Sequence, residues 1–192
     1  MKTELILASQ SPRRSDLLKS IGVHFQVHPS SFKEIDSSSC LAHEVVLINA
    51  KGKADEVAAH YPGKLVLGVD TVGAFQDCVL EKPKDKEDAF RMLKMLQGKT
   101  HEVLTGLCLT NGVKTITHVE STHITFLPLT DTEIRAYIET GEPMDKAAAY
   151  AAQGIGALFI QKIDGDYFNV VGLPLYRLNL MLKEFDINLL TD

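Results

Sequence analysis

Two adjacent arginines follow a short polar segment near the start of the chain. Ser9 precedes the pair Ser11-Pro12, which leads directly into Arg13 and Arg14. Serine followed by proline is typical of a helix N-terminus, with Ser11 as the capping residue and Pro12 at the first helical position. Unpaired N–H groups and the helix dipole attract anions there, and guanidinium groups match phosphate oxygens. The segment therefore predicts either a phosphate site or an ordinary surface helix with solvated arginines.

A carboxylate follows the most apolar stretch of the chain. Residues 65–69, Leu-Val-Leu-Gly-Val, predict a buried strand, and Asp70 and Thr71 come directly after it. In open α/β sheets, ligands bind outside the carboxyl ends of the strands. An aspartate in that place can hold a divalent cation or accept a proton from water. The alternative is an aspartate that only turns the chain after a strand.

Two further charged segments have the composition of exposed turns. One is Glu-Lys-Pro-Lys at 81–84, in which the proline stiffens the backbone next to Lys82. The other is Gly-Glu-Pro-Met-Asp-Lys at 141–146. Lys51 and Lys53 lie two positions apart in a predicted helix, so at most one of them faces a given site. The 7 histidines show no metal-binding spacing, and no GxSxG motif indicates a serine hydrolase.

Length and composition exclude several classes of protein. The chain has 192 residues, a net charge of −5 and 45% hydrophobic residues, which suits one domain over residues 1–192. It lacks the basic excess of a nucleic-acid binder, and no stretch approaches the roughly 18 apolar residues that span a membrane. The start lacks a secretory signal pattern, and the 3 cysteines lack CxxC spacing. We therefore expect a cytoplasmic protein that binds neither nucleic acid polymers nor membranes.

Strand and helix patterns alternate along the chain. Apolar residues at helical spacing predict helices at residues 12–20, 43–60, 85–96, 131–139 and 174–185. Apolar or alternating stretches predict strands at residues 5–7, 25–27, 65–69, 103–109, 116–126, 158–160 and 167–171. This order predicts an α/β protein, and its hairpins predict a mixed sheet.

The charged segments belong to a longer series of motifs. The series begins with Leu-Ala-Ser-Gln-Ser-Pro-Arg-Arg at 7–14, Gly-Val-Asp-Thr-Val at 68–72, Glu-Lys-Pro at 81–83 and Gly-Lys-Thr-His at 98–101. It continues with Gly-Glu-Pro-Met-Asp-Lys-Ala at 141–147, Gln-Gly at 153–154 and Asn-Val-Val-Gly-Leu-Pro at 169–174. The series resembles the Maf family of nucleoside triphosphate pyrophosphatases. The motifs occur in order from about residue 5 to 175, so the resemblance covers nearly the whole chain.

The resemblance implies a fold and a reaction. The fold is an elongated mixed β-sheet with flanking helices and two lobes around a central cleft, similar to inosine triphosphatase. The implied homodimer cleaves a nucleoside triphosphate to the monophosphate and diphosphate with a divalent metal ion, Mg²⁺ or Mn²⁺. Within the family, the branch acting on dTTP and UTP has a threonine after the aspartate and a glutamine before the late glycine. Thr71 and Gln153 match this branch, and with Arg13 they are the positions implied to set base choice.

The same resemblance leads to a role for each charged residue. Water attacks the α-phosphate, and we assign Asp70 as the base that accepts the proton of this water. Glu34, which matches the family's glutamate in the loop after the second strand, joins Asp70 as a metal ligand. One serine and four cations are expected to bind the triphosphate: Ser9, Arg13, Arg14, Lys53 and Lys82.

Two other functions stay open on the sequence alone. One is a pyrophosphatase for 7-methyl-GTP or for a broad range of modified nucleotides. The other is a nucleotide-sensing regulator of septum formation with little turnover. The sequence also departs from the family pattern at Ala148, where the family has glycine. This predicts either that no positive φ is needed there or that the loop shifts slightly.

Overall fold

The computed structural model describes residues 4–35, 37, 40–76 and 78–191. The strands are β1 (Leu5–Ala8), β2 (Phe25–Val27), β3 (Leu65–Phe75), β4 (Cys78–Leu80), β5 (Thr100–Thr110), β6 (Thr115–Phe126) and β7 (Ile160–Asp164). The α-helices are α1 (Pro12–Ser20), α2 (Ala42–Ala58), α3 (Lys86–Leu96), α4 (Asp131–Glu139), α5 (Tyr167–Val171) and α6 (Leu175–Lys183). Short 3₁₀ helices lie at Glu142–Asp145, Ala147–Ala149 and Ile155–Phe159.

The strands of the described residues form one mixed sheet. Its order is β2-β1-β3-β5-β6-β7, and β4 pairs with the end of β3. β1 runs parallel to β2 and β3, whereas the remaining pairs are antiparallel. The three central strands β3, β5 and β6 have 11, 11 and 12 residues, which makes the sheet long. The predicted α/β class with an elongated mixed sheet is therefore confirmed.

Two apolar cores lie at different ends of this sheet and define two lobes. In the first lobe, α1 and α6 pack on β1 and the start of β3 through Leu5, Leu7, Leu17, Leu18, Leu67, Leu178 and Leu182. In the second lobe, α3 and α4 pack on β6 and the start of β5 through Ala89, Met92, Leu93, Val103, Ile124, Phe126 and Ile134. The two cores leave room for a cleft where the lobes meet.

Helix α2 lies directly on the strands, on the sheet face opposite α1 and α6. A Cβ added at Gly68 would lie 2.1 Å from the Ala50 carbonyl oxygen, and one added at Gly106 would lie 2.2 Å from that of Val46. Because these two glycines have no side chain, the helix backbone can rest on β3 and β5. α2 has 17 residues, and within the described parts of the chain no helix is long and apolar enough to cross a membrane.

Two of the predicted strands are wrong. Of residues 158–160, only Ile160 is in a strand, and residues 167–171 form helix α5. The side chain of Asp166 accepts a hydrogen bond from the Phe168 N–H, and Gly172 ends the helix in a left-handed conformation. These two caps outweigh the strand preference of the aromatic and β-branched residues between them.

The prediction that the alanine at 148 removes the need for a positive φ is also wrong. Ala148 and Ala149 have φ values of 56° and 59°, a conformation that costs a non-glycine residue about 1 kcal/mol. A Cβ added at Gly73 would lie 2.6 Å from the Ala148 Cβ, so the loop packs closely on β3. This tight packing holds the alanine in the left-handed conformation.

Candidate active site

An unpaired stretch on one edge of β3 creates the site. The predicted strand end before Asp70 is wrong, because β3 runs on to Phe75 and Asp70 lies in its middle. On one edge β3 pairs with β5 along this stretch. On the other edge β1 pairs with β3 as far as Gly68 and β4 pairs with it from Gly73. Residues 69–72 therefore have no strand partner on this edge among the described strands, and the side chain of Asp70 faces the resulting opening.

A cleft of about 580 Å³ lies at this opening between the two lobes. Its lining includes every candidate residue from the sequence: Ser9, Arg13, Arg14, Glu34, Lys53, Asp70, Thr71, Lys82 and Gln153. These residues come from the loop after β1, the loop after β2, α1, α2, β3 and the second lobe. The structure therefore brings all of them together, although they are spread over most of the sequence.

Lys53 lies between two carboxylates at the bottom of the cleft. Its Nζ is 2.7 Å from Asp70 Oδ1 and 2.5 Å from Glu34 Oε1. The side chains of Lys53 and Asp70 are 12% and 11% exposed, whereas that of Glu34 is 55% exposed. The lysine thus neutralises the buried carboxylate of Asp70 and also contacts the exposed carboxylate of Glu34.

Asn49, which the sequence analysis missed, holds the second oxygen of Asp70. Its Nδ2 donates to Asp70 Oδ2 at 3.0 Å, and its Oδ1 accepts from the Ile35 N–H at 3.0 Å. Asn49 is 2% exposed, so it links the aspartate to the loop that carries Glu34. Its position could have indicated this role, because Asn49 is a polar residue among the apolar residues of the predicted helix and lies one helical turn before Lys53.

Arg14 lines the cleft, but most of its donors bind the protein itself. Its Nε donates to the Gly172 carbonyl at 2.9 Å, and its Nη1 donates to Ser9 Oγ at 2.9 Å and to the Val69 carbonyl at 3.1 Å. Its Nη2 donates to Thr71 Oγ1 at 2.9 Å. Burial lowers the pKa of Arg14 to about 10, which still leaves it charged at neutral pH. The guanidinium therefore fixes Ser9 and Thr71 and satisfies a carbonyl on the unpaired edge of β3.

An ion pair joins the two lobes across the cleft. Arg13 Nη1 lies 3.5 Å from Asp145 Oδ2, and Asp145 also contacts the ammonium of Lys146. Burial acts to raise the pKa of Asp145, but the hydrogen bond and charge of Lys146, together with Arg13, outweigh it and lower the pKa. The Lys146 side chain is 14% exposed and lines the cleft. Both residues belong to the family motif at 141–147, but their types and spacing alone predicted no role for either.

Lys82 and Gln153 reach the cleft from the second lobe with exposed side chains. Within the described parts of the chain, neither side chain has a hydrogen-bond or ion-pair partner. Both groups are therefore available to a ligand.

Comparison with known proteins decides the family. The family model described as Maf-like protein matches residues 4–185. This chain belongs to the Maf-like family. A protein named dTTP/UTP pyrophosphatase from Bacillus pumilus strain SAFR-032 is 47% identical over 184 residues, covering 96% of this chain and 97% of its own length. One of the same name from Geobacillus sp. strain WCH70 is 49% identical over 174 residues, covering 91% and 94%.

The fold of this Maf-like protein also resembles a solved structure of lower identity. The Staphylococcus aureus Ham1 protein superposes with a TM-score of 0.52 at 13% identity, covering 95% of this chain and 99% of that one. At this identity the likeness shows the fold alone, and it agrees with the fold class predicted from the sequence.

Two carboxylates at the bottom of the cleft, Glu34 and Asp70, supply oxygen donors of the type that a divalent metal takes. The described residues contain no group of three His, Cys, Asp or Glu side chains able to hold a metal ion. Mg²⁺, however, is often held by one or two carboxylates together with substrate phosphates. Glu34 and Asp70 both contact the ammonium of Lys53, so a positive charge already lies between them. These two residues would hold Mg²⁺ or Mn²⁺, both of which prefer oxygen ligands, and such an ion would supply positive charge beside a bound phosphate.

Proposed function

We propose that this Maf-like protein hydrolyses dTTP and UTP to the nucleoside monophosphate and diphosphate. The supporting observation is a single cleft in which a buried aspartate lies among cationic side chains from both lobes. The names of relatives that are 47% and 49% identical support the same substrates.

In the proposed reaction, a water molecule attacks the α-phosphorus while Asp70 accepts its proton. The bond from this phosphorus to the bridging oxygen breaks, and diphosphate leaves with the bond's electron pair. Lys53 neutralises the growing negative charge, and Asn49 keeps the Asp70 carboxylate in a fixed orientation. Positioning and charge neutralisation supply most of the rate acceleration in such reactions.

The triphosphate binds the remaining cations of the cleft in this proposal. Arg13 and Lys82 bind phosphate oxygens from opposite lobes, and Lys146 adds a third cation. Ser9 donates a hydrogen bond, and Arg14 adds positive charge at the N-terminus of α1. A divalent ion held by Glu34 and Asp70 would neutralise further phosphate charge and polarise the α-phosphate.

Base choice falls to Arg13, Thr71 and Gln153 in this proposal. The Gln153 amide offers one donor and one acceptor group, which suits the edge of a pyrimidine. The Thr71 hydroxyl is held by Arg14 Nη2 and by Thr105 Oγ1, both at 2.9 Å. Thr71 and Gln153 thus line the cleft from opposite lobes, the first with a fixed hydroxyl and the second with an amide that has no partner among the described residues.

A diphosphate-release assay tests the proposed reaction. The purified protein is given dTTP, UTP, CTP, GTP and 7-methyl-GTP, each with and without Mg²⁺. We expect dTTP and UTP to be cleaved fastest, and Asp70→Asn to lower kcat at least ~100-fold with no loss of folded structure. Asp16→Asn, at an exposed position on α1, is the matched control and should retain the parent rate.

Three outcomes of this assay would contradict the proposal. Parent-like turnover by Asp70→Asn would remove that residue as the base. Faster cleavage of 7-methyl-GTP would move the protein to the other substrate class. Tight binding of UTP without diphosphate release would favour a nucleotide-sensing regulator.

We also propose that the chain is a single domain and that it forms a homodimer, as the family resemblance implies. Light scattering after size-exclusion chromatography measures the mass of the assembly directly, and a monomer mass at all concentrations would contradict the dimer. A cytoplasmic location stays a prediction.

A further inference from the structure

Gln153 lies in a loop whose backbone N–H groups donate hydrogen bonds to one carboxylate, that of Glu142. Glu142 Oε2 accepts from the Ile155 N–H at 2.9 Å, and its Oε1 accepts from the Gly156 N–H at 2.9 Å. A Cβ added at Gly154 would lie 2.3 Å from Glu142 Oε2. The carboxylate therefore packs directly against the backbone that follows Gln153, and the glycine makes this close approach possible.

A buried tyrosine holds the other side of the same loop. Tyr137 Oη donates to Glu142 Oε1 at 2.8 Å and accepts from the Ala151 N–H at 3.3 Å. The ring of Tyr137 is 3% exposed and packs edge-on against Phe159, with the ring centroids 4.7 Å apart. Tyr137 and Glu142 thus form one unit, the loop clamp, which binds N–H groups on both sides of residue 153.

The charge states of the loop clamp favour these bonds. Burial acts to raise the pKa of Glu142, but the N–H groups of Gly156 and Ile155 and the Tyr137 hydroxyl outweigh it and lower the pKa. Burial, together with the hydrogen bond to Glu142, raises the pKa of Tyr137. At neutral pH the carboxylate is therefore charged and the tyrosine keeps its proton to donate.

We propose that Tyr137 and Glu142 are positioning residues for base selection, which hold the Gln153 amide at a fixed place in the cleft. Neither of them is among the described residues that line the cleft, so they act through the loop backbone. An exposed glutamine has several rotatable bonds, and discrimination by hydrogen bonds needs its amide within a fraction of an ångström of the right place. This inference rests on the proposed function, because it takes Gln153 to contact the base.

Tyr137→Phe is the sharpest test of the loop clamp. The change removes one hydroxyl and keeps the ring that packs on Phe159. The quantity to measure is the ratio of kcat/KM for UTP to kcat/KM for GTP. We expect this ratio to fall roughly five- to tenfold, as for a lost or misplaced hydrogen bond, with kcat for UTP changed far less. Tyr176→Phe, which alters a tyrosine that is 68% exposed on α6, should leave the ratio unchanged.

A double-mutant cycle separates positioning from a general structural role. Gln153→Ala should lower the UTP/GTP ratio, and Tyr137→Phe should lower it no further in that background, because both changes act through one group. Glu142→Gln, which cannot accept all three hydrogen bonds, provides a second variant with the same expected pattern.

The possible failures of the two proposals are distinguishable. An unchanged ratio in Gln153→Ala would overturn the role of Gln153 in the proposed function. A reduced ratio in Gln153→Ala with a parent-like ratio in both Tyr137→Phe and Glu142→Gln would overturn the loop clamp alone. Equal loss of kcat/KM for both nucleotides in the clamp variants, or additive losses in the cycle, would also overturn it.

Discussion

The two sides of the cleft are built in different ways. We call Asn49, Lys53 and Asp70 the floor, and residues 142–156 the far wall. In the floor, buried charged and polar side chains bind each other directly, two from helix α2 and one from strand β3, on which the helix rests. In the far wall, the carboxylate of Glu142 binds the loop backbone. The Gln153 side chain on this loop is exposed and has no partner among the described residues.

This difference matches the work proposed for each side. Proton transfer and charge neutralisation need fixed groups in a place with little water, which a helix packed on a sheet provides. Recognition of a base needs polar groups that have no partner until the ligand binds. The fold therefore separates rigid paired groups from unpaired groups on a supported loop.

The largest difference should appear between the buried lysine of the floor, Lys53, and an exposed cleft lysine outside the floor, Lys82, when each loses its charge. Lys53→Met leaves Asp70 and Glu34 without their cation, so we expect kcat for UTP to fall at least ~100-fold and the melting temperature to fall. Lys82→Met removes an exposed lysine from the second lobe, and we expect an approximately tenfold rise in KM with unchanged melting temperature. Steady-state kinetics and thermal unfolding measure both, and equal effects of the two variants would contradict the contrast.

The support of the floor can be broken without touching any polar group. Gly106→Ala would place a Cβ 2.2 Å from the Val46 carbonyl oxygen. Since α2 must then move off the sheet, we expect a loss of about 3 kcal/mol in unfolding free energy. Gly63→Ala adds the same methyl group where no atom lies within 4 Å, at a φ of +75°, and should cost about 1 kcal/mol. Urea unfolding compares the two, and similar losses would show that α2 has room to move.

The two arginines of α1 should show a similar contrast, with the buried Arg14 contributing more to the unfolding free energy than the partly exposed Arg13. Arg14→Lys cannot replace the hydrogen bonds to the carbonyls of Gly172 and Val69 and to Thr71 Oγ1, so we expect a loss of about 2 kcal/mol in unfolding free energy. Arg13→Lys keeps a charge at a partly exposed ion pair and should change this free energy by less than about 0.5 kcal/mol. A parent-like stability of Arg14→Lys would refute the structural role of this guanidinium.

The core below the far wall should make the protein less stable in acid, because it buries His101. Burial lowers the pKa of His101 from its ordinary 6.5 to about 4, and its Nε2 lies 2.8 Å from the hydroxyl of Tyr150, which lines the cleft. Between these pH values the unfolded chain binds a proton that the folded chain does not. Stability is therefore retained above pH 6.5 and falls as pH drops towards 4, by about 1.4 kcal/mol per pH unit.

Comparison with a variant isolates this contribution. His101→Gln keeps a polar partner for Tyr150 but does not titrate, so its stability should fall less steeply over the same pH range. Urea unfolding at several pH values between 6.5 and 4 gives both slopes. Equal slopes would show that other groups cause the acid sensitivity.

Local patterns predicted most of the secondary structure. The predicted helix at 131–139 is correct, because Thr130 and Glu133 form a capping box at its start. The predicted helix at 85–96 is also correct, because Asp85 caps α3. The strand predicted at 167–171 failed because aromatic and β-branched residues occur in short capped helices as well as in strands. The family motifs identified the candidate residues of the cleft, but they gave no role to Asn49. This residue reaches Asp70 only because α2 packs on β3.

The sequence by itself determined the alternation of helices and strands, the family and the charged residues of the cleft. These follow from spacing, caps and motifs within a few neighbouring residues. Only the tertiary structure decided that Asp70 lies inside a strand and that Arg14 donates its hydrogen bonds to the protein itself. It also decided that Tyr137 and Glu142 bind the loop of Gln153. Each of these depends on which strand edges remain unpaired and which distant groups become buried together, and those contacts form only when the whole chain folds.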